Sequence, residues 1–358
     1  MITLIIFLII LAVLVFVHEL GHFLAAKFFG IRVDEFALGF PPRIWSKKVG
    51  ETIYALNAVP LGGYVKIFGE DGQTGSRSFV DKSKWMQIIV LSAGVTMNII
   101  FGWLVLSAGY LVGQPTSAES VTNPTTLSDI KLTIVDVLAN SPADKIGLRA
   151  GDTIQSVKNN ANTLTNLTPD NLSQFIAQSS GPIEITYETS HKQIETQSVT
   201  PVSGLAPDHQ AIGITMDLIG TEYLSPIQAL VQGAKDTRTL LYEIVVGLGQ
   251  LVMGLAHPSS TLSQVTGPVG IVKVVGEARA IGFAYLLSLI AFISLNLAVI
   301  NLVPIPALDG GRIFIIIIEA IWRKPLNQKA LQKVISISFI LILTLVAIIT
   351  LHDIYNIL

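Results

Sequence analysis

Residues 2–29 read ITLIIFLIILAVLVFVHELGHFLAAKFF, and they identify the class of this protein. The run from Ile2 to Val17 carries no charge, and a helix that continues to Phe29 is long enough to cross the roughly 30 Å hydrocarbon core of a bilayer. A cleaved signal peptide would carry basic residues before its apolar region, whereas the first basic residue here is Lys27. The stretch is therefore predicted to be a membrane-spanning helix.

The composition of the whole chain supports this class. Of 358 residues, 51% are hydrophobic and only 13% are charged, whereas a soluble domain has about 25% charged residues. Three further runs have the length of a span, namely Ile88 to Val112, Phe283 to Val303 and Ile335 to Leu351. We therefore expect a polytopic α-helical membrane protein with four spans. A net charge of −2 does not suggest a nucleic-acid partner, and the lack of cysteine excludes disulfides and thiolate metal sites.

The distribution of basic residues predicts the orientation. The loop from Lys27 to Lys84 holds nine Lys or Arg residues, and the loop between the third and fourth runs holds five. By the positive-inside rule both loops are cytoplasmic, so the middle of the chain and both termini lie outside. The segment from Thr239 to Ala256 is apolar enough to be considered as a fifth span, but a crossing there would place the second basic loop outside. Residues 225–256 are therefore predicted to form an amphipathic or interfacial helix.

Four segments are expected along the chain. Residues 1–112 hold two spans and a cytoplasmic β region, 113–210 form a small α/β domain, 211–282 form linker helices, and 283–358 hold the last two spans. Within the second segment, Ser141 to Ile154 reads SPADKIGLRAGDTI and resembles the signature of a bacterial, circularly permuted PDZ domain. The resemblance implies an extracytoplasmic domain whose sheet edge binds an extended peptide ligand. A spacer domain without a ligand is the alternative.

His18-Glu19-Leu20-Gly21-His22 matches the pattern H-E-x-x-H. On a helix, the two histidines lie on one face within reach of a single zinc ion, and Glu19 is placed as a general base. The alternative is a pair of interfacial histidines at the end of a span. Three ionisable side chains within an apolar helix are costly unless they are paired or bind a metal, which favours the zinc site.

A catalytic zinc site needs a third protein ligand, and without cysteine this must be His, Asp or Glu. The other histidines lie outside in the predicted topology, which leaves Asp309 after the third span as the candidate. His18 lies about 24 Å along a helix that starts outside, at about 1.5 Å per residue. Asp309 lies near the inner end of a span with the same direction, after Pro304 and Pro306. Taken alone, Asp309 is equally typical of a turn before Gly310-Gly311.

Together these motifs resemble the site-2 protease family of intramembrane zinc metalloproteases. The resemblance covers nearly the whole chain and includes the motif around Asn301, Pro304 and Asp309, the element Gly94-x-x-x-Asn98, and segments 37–41 and 60–66. It implies that His18, His22 and Asp309 bind Zn²⁺ and that Glu19 moves the proton from water to the leaving amine. A single PDZ-like unit departs from the tandem pair of the enterobacterial members.

The resemblance also implies how a substrate binds. Asn301 and Pro304 would contact the substrate near the metal, and the alternating segment Gly62 to Phe68, including Gly63 and Tyr64, would offer a strand edge to an unwound chain. For the segment from Gly62 to Phe68, the alternative is an ordinary hairpin at the membrane surface. For Gly94 and Asn98, the alternative to a chemical role is that they allow close helix packing.

The expected function is therefore hydrolysis of single-span membrane proteins or peptides, such as anti-sigma factors or signal-peptide remnants. The expected location is the bacterial inner membrane, in contact with the lipid bilayer and with the active site toward the cytoplasm. A peptide-binding membrane scaffold or sensor with a non-catalytic zinc site is the alternative of a different class. A membrane-anchored peptidase with a cytoplasmic catalytic domain is disfavoured because no soluble domain of adequate size remains on that side.

Overall fold

The computed structural model describes residues 2–121, 126–159, 162–190, 192–206, 209–254, 267–324 and 326–357. Four helices in this part of the chain are long and apolar enough to span a membrane, as predicted: Ile2–Phe28, Lys84–Val112, Phe283–Leu302 and Lys329–Tyr355. The chain divides into two compact units. One comprises residues up to Ser107, Leu230–Val275 and Ser288–Leu358, and the other comprises Ala108–Ala229 and Gly276–Leu287.

The first unit contains the apolar helices. They are α1 (Ile2–Phe28), most of α2 (Lys84–Val112), most of α7 (Phe283–Leu302), α8 (Asp309–Trp322) and α9 (Gln328–Ile357). Large apolar side chains on these helices are exposed, as lipid-facing residues of a membrane protein are; Ile5, Val13 and Phe16 on α1 are examples. The long apolar stretch of α9 has no residue buried inside the protein. These helices therefore match the predicted polytopic membrane protein.

A β region lies between the first two helices, as the sequence predicts. The strands β1 (Val33–Val49) and β2 (Thr52–Ile67) are long, and different parts of each pair with different parts of the other. Residues 33–38 pair with 63–67 on one side and with 53–56 on the other, while 43–49 pair with 52–57. In the described part of this sheet, residues 63–67 therefore form one outer edge. This edge is the segment for which the sequence predicts a strand.

Within the described part of the chain, residues 225–254 are not among the segments that are long and apolar enough to span a membrane. They form the helix α5 (Pro226–Gly254), as the sequence predicts for 225–256, while residues 255 and 256 lie outside the described part. The next helix, α6 (Pro268–Ile281), begins at the Gly267-Pro-Val-Gly270 motif. The Asp353 carboxylate near the end of α9 accepts hydrogen bonds from the N–H groups of Gly267 and Gly270. This contact satisfies free donors at the start of α6.

The second unit contains a seven-stranded antiparallel sheet with a core of its own. Its strands are β3 (Gln114–Ser117), β4 (Leu127–Val137), β5 (Thr153–Lys158), β6 (Thr163–Leu164), β7 (Ile183–Glu188), β8 (Ile194–Val199) and β9 (Ile214–Glu222). The order is β3-β9-β4-β5-β7-β8, with β6 beside β5. Two helices, α3 (Pro142–Lys145) and α4 (Pro169–Gln178), complete it. The sequence pattern predicts strands at 132–138, 153–157 and 183–187 and helices at 142–146 and 170–178, and all five elements are present.

The predicted boundary at residue 210 needs correction. Strand β9 lies within 211–282, where the sequence predicts helices, yet it pairs with both β3 and β4 in the interior of the sheet. Ile214, Met216 and Leu218 alternate with two polar residues and pack against the core of this unit, so a local signal for a strand is present in the sequence. The sheet therefore extends to Glu222.

Candidate metal centre

Both histidines lie on the interior face of α1. Buried residues recur every four positions along this helix, at Ile10, Leu14, His18, His22 and Ala26. Residues four apart on a helix share one face, so the apolar pattern that packs α1 into the protein also turns both imidazoles inward. The packing of α1 therefore determines the direction in which the two histidines of the H-E-x-x-H motif point.

Asp309 reaches the same place through a tight turn. Helix α7 ends at Leu302, the chain turns through 303–308, and α8 begins at Asp309. A Cβ on Gly310 would lie 2.6 Å from the carbonyl oxygen of Val303, so only glycine permits this approach of backbone to backbone. The N-cap of α8 is Leu308, which makes no side-chain cap hydrogen bond. The Asp309 carboxylate is therefore not used as an N-cap.

The three side chains converge on one point. His18 Nε2 and His22 Nε2 lie 3.2 Å apart, and Asp309 Oδ2 lies 3.0 Å from the first and 3.3 Å from the second. Oδ2 is buried, and no described residue donates a well-aligned hydrogen bond to it. Ligands of a tetrahedral zinc ion, at bond lengths of about 2.0–2.1 Å, stand about 3.3–3.4 Å apart. The donor set and its spacing fit zinc.

Helix α2 packs tightly against the two histidines. A Cβ on Gly21 of α1 would lie 2.7 Å from the carbonyl carbon of Ala93, so the two helix backbones are in close contact. A Cβ on Gly94 would lie 2.8 Å from both His18 Cε1 and His22 Cε1. Gly94 therefore allows the close helix approach that its small size suggested.

Two polar contacts of α2 were not predicted from the sequence. His22 Nδ1 lies 2.9 Å from the carbonyl oxygen of Val90, and His18 Nδ1 lies 3.2 Å from the Asn98 side-chain nitrogen. Val90, Gly94 and Asn98 are spaced four residues apart and so share one face of the helix. The Gly94-x-x-x-Asn98 spacing was the available signal for this face.

Glu19 lies next to the metal-binding side chains and faces the sheet. Its carboxylate lies near the backbone N–H of Val65 in β2. A Cβ on Gly63 would lie 3.5 Å from Glu19 Cγ and 2.9 Å from the carbonyl oxygen of Ala37. Residues 63–65 of the outer edge therefore pass directly beside the candidate base.

The other predicted substrate residues differ in their placement. Gly62 packs against the ring of Phe40, and the Tyr64 hydroxyl donates to Glu35 at 3.0 Å. Asn301 is half-buried at the end of α7 and Pro304 is exposed in the following turn. Among the described residues, no hydrogen bond joins the Asn301 amide to the histidines or Asp309. Within the described part of the chain, the structure thus brings Gly63 to Glu19 but shows no hydrogen bond between Asn301 and the histidine–aspartate cluster.

Two ion pairs anchor α8, one in its first turn and one in its last. Arg312 pairs with Glu70, and Lys84 Nζ lies 2.7 Å from Glu319. All four residues line a cavity of about 540 Å³. Because Arg312 follows Asp309 by three residues, the first of these pairs fixes the turn that carries the carboxylate.

Comparison with known proteins identifies the family. The profile of peptidase family M50 matches residues 6–345. A protein of Clostridium perfringens that bears the provisional name of zinc metalloprotease is 36% identical over 348 residues, which cover 95% of each chain. The regulator of sigma-W protease RasP of Bacillus subtilis is 28% identical over an alignment of 435 positions, gaps included, that covers 98% of each chain. The chain therefore belongs to peptidase family M50, the site-2 proteases, and is a zinc metalloprotease.

Proposed function

We propose that the chain is an intramembrane endopeptidase in which His18, His22 and Asp309 hold the zinc ion and Glu19 is the general base. The observation that carries the proposal is the separation of 3.0–3.3 Å between three ligand atoms, two of which belong to a helix of membrane-spanning length. Three protein ligands leave the fourth position of a zinc ion open for water, as catalytic sites require.

The chemistry divides between the metal and the chain. A zinc ion held here would act as a Lewis acid, lowering the pKa of its bound water and polarising the scissile carbonyl. Glu19 accepts the proton of the attacking water and delivers it to the nitrogen of the leaving amine. Glu19 lies beside residues 63–65 of the sheet edge, which is where these transfers must occur.

The substrate binds as an added strand. A transmembrane helix keeps its carbonyl groups in internal hydrogen bonds, so it must unwind before hydrolysis. Among the described residues, no strand pairs with 63–67 on the side away from 33–38, and Gly63 lies beside Glu19. Gly62, Gly63 and Tyr64 then align the extended chain. Asn301 and Pro304 form the opposite wall of the site, where the Asn301 amide donates to a substrate carbonyl.

The substrates are single-span membrane proteins in a bacterial cytoplasmic membrane. The basic loops support a topology with the site toward the cytoplasm and with the termini and the PDZ-like domain outside. The name of the Bacillus subtilis relative, a regulator of sigma-W protease, supports anti-sigma factors as one substrate class. Signal-peptide remnants are the second class. The PDZ-like domain, now extending to Glu222, binds a peptide ligand.

The test is cleavage by the full chain reconstituted in proteoliposomes. Single-span peptides labelled at both ends serve as substrates, and product masses give the cut position. Glu19→Gln should lose at least about 100-fold in rate while it keeps one zinc per chain, because a general base contributes about 10²–10⁴-fold. Glu243→Gln, an exposed Glu on α5, is the matched control and should cleave normally.

A second arm separates the metal from the base. Asp309→Ala should release zinc to a chelator that leaves the Glu19→Gln protein loaded. Turnover by Glu19→Gln at the wild-type rate would exclude Glu19 as the base. Zinc bound by the wild-type chain without cleavage of any peptide would favour the membrane scaffold instead.

A further inference from the structure

The rear nitrogens of the two histidines face different partners on α2. His22 Nδ1 lies against the carbonyl oxygen of Val90, which can only accept a hydrogen bond. His18 Nδ1 lies 3.2 Å from the side-chain amide of Asn98, which is completely buried. The front nitrogens, both Nε2, face each other and Asp309. Any metal at this point is therefore bound through Nε2.

Metal binding fixes the tautomer of both rings. A neutral imidazole that binds a metal through Nε2 carries its proton on Nδ1, so each Nδ1 must be a donor. The Val90 carbonyl meets this requirement for His22. For His18, Asn98 is the hydrogen-bond partner of Nδ1 among the described residues, so the requirement is met when Asn98 presents an acceptor.

The amide of Asn98 can present either atom. With its nitrogen toward His18, the amide donates to Nδ1, and its Oδ1 is buried without a hydrogen-bond donor among the described residues. This arrangement suits a ring protonated on Nε2, which cannot bind a metal. Rotating the amide by 180° leaves its shape unchanged and turns Oδ1 toward His18. The oxygen then gains the donor that buried polar atoms normally have.

We infer that Asn98 is a positioning residue that accepts a hydrogen bond from His18 Nδ1–H in the zinc-bound protein and donates to His18 when the metal is absent. The inference rests on the proposed role of His18 as a zinc ligand. Asn98 reaches the ring because α2 is held at both sides, by Gly94 against the histidines and by Ser294, whose hydroxyl donates to the Asn98 carbonyl oxygen.

The measured quantity is the zinc dissociation constant of the full chain in detergent, by competition with a chelator of known affinity. Asn98→Leu removes the acceptor at similar volume and should weaken zinc binding by about 10–100-fold, as loss of an outer hydrogen bond to a metal ligand does. Asn98→Asp can only accept, and should bind zinc within about threefold of the wild type. Thr96→Val, on the exposed face of the same helix, removes a side-chain hydrogen bond that does not involve His18 and should leave zinc affinity unchanged.

The variants distinguish the possible failures. If Asn98→Asp loses zinc as strongly as Asn98→Leu does, or if Asn98→Leu keeps wild-type affinity, the acceptor role of Asn98 is wrong. Asp309→Ala and His22→Ala are measured in parallel. If those two variants also keep zinc, the proposed metal ligands are wrong and the inference falls with them. If they lose zinc while Asn98→Leu does not, only the inference about Asn98 fails.

Discussion

Gly94→Ala should damage the metal centre without removing any ligand. The added Cβ would lie 2.8 Å from the Cε1 atoms of His18 and His22. Optimal carbon–carbon contact lies at about 3.5–4.0 Å, so both rings would have to retreat by about 0.7 Å. Metal–ligand distances are normally met within about 0.2 Å. The two histidines therefore cannot keep their places around one zinc ion.

Gly102→Ala is the matched control on the same helix. Its Cβ would lie 2.9 Å from Leu295 Cδ2, the movable end of a side chain, two turns away from the histidines. Both substitutions overfill a helix contact, which costs about 1–3 kcal/mol, and both improve helix propensity by about 1 kcal/mol. The two variants should thus have similar thermal stability and differ at the metal.

The assay combines zinc competition with peptide cleavage. Gly94→Ala should bind zinc at least about tenfold more weakly and lose most of its cleavage activity, because displaced ligand geometry costs about 10–100-fold in metal affinity or activity. Gly102→Ala should keep both zinc affinity and cleavage within about threefold of the wild type. Wild-type zinc affinity and cleavage in Gly94→Ala would refute the idea that the close contact of α2 sets the ligand geometry. Equal loss in both variants would assign the effect to helix packing alone.

Two further predictions concern the charged contacts around the site. Glu70→Arg or Arg312→Glu should each reduce cleavage by up to about fivefold, because partly exposed ion pairs contribute about 0.2–1 kcal/mol. The double exchange should restore most of the cleavage. No recovery in the double variant would argue against the pair. Hydrogen bonds from Arg77 and then Lys27 lower the pKa of Glu51 from 4.5 to about 2. The folded state therefore favours the charged carboxylate, and this stability is complete above pH 4.5 and is lost as the pH falls toward 2. Melting temperatures between pH 5 and pH 3 should fall less steeply in Glu51→Gln, and identical slopes would exclude the linkage.

The helical part of the fold could be predicted because it depends on local properties. The length and apolarity of four segments are visible in the sequence, and each of them is a helix of span length in the structure. Strand β9 was missed because its stability comes from pairing on both sides with β3 and β4, which are distant along the chain. The alternation of Ile214, Met216 and Leu218 with two polar residues was a local signal for a strand. That this strand belongs to the same sheet, however, follows only from its tertiary pairing.

The candidate site shows the same division between local and distant information. The spacing of His18 and His22 is a property of one helix and needs no tertiary structure. Asp309 could be linked to them only through the matching depth of two spans and through the family resemblance, because a turn residue before two glycines gives an identical pattern. The structure separates these possibilities, since Leu308 is the N-cap of α8 and the Asp309 carboxylate lies at the histidines.

The contacts on α2 depend on how two helices are placed against each other, which no single segment encodes. Val90, Gly94 and Asn98 could be assigned to one face from their spacing, but whether that face meets α1 is decided by the small residues at the contact. Gly21 permits the approach from α1, and Gly94 permits it from α2. The same approach brings an amide and a carbonyl group to the rear of the two histidines. Helix packing and metal binding are therefore coupled. A substitution that separates α1 from α2 also moves away the Val90 carbonyl and the Asn98 amide, which fix the imidazole tautomers.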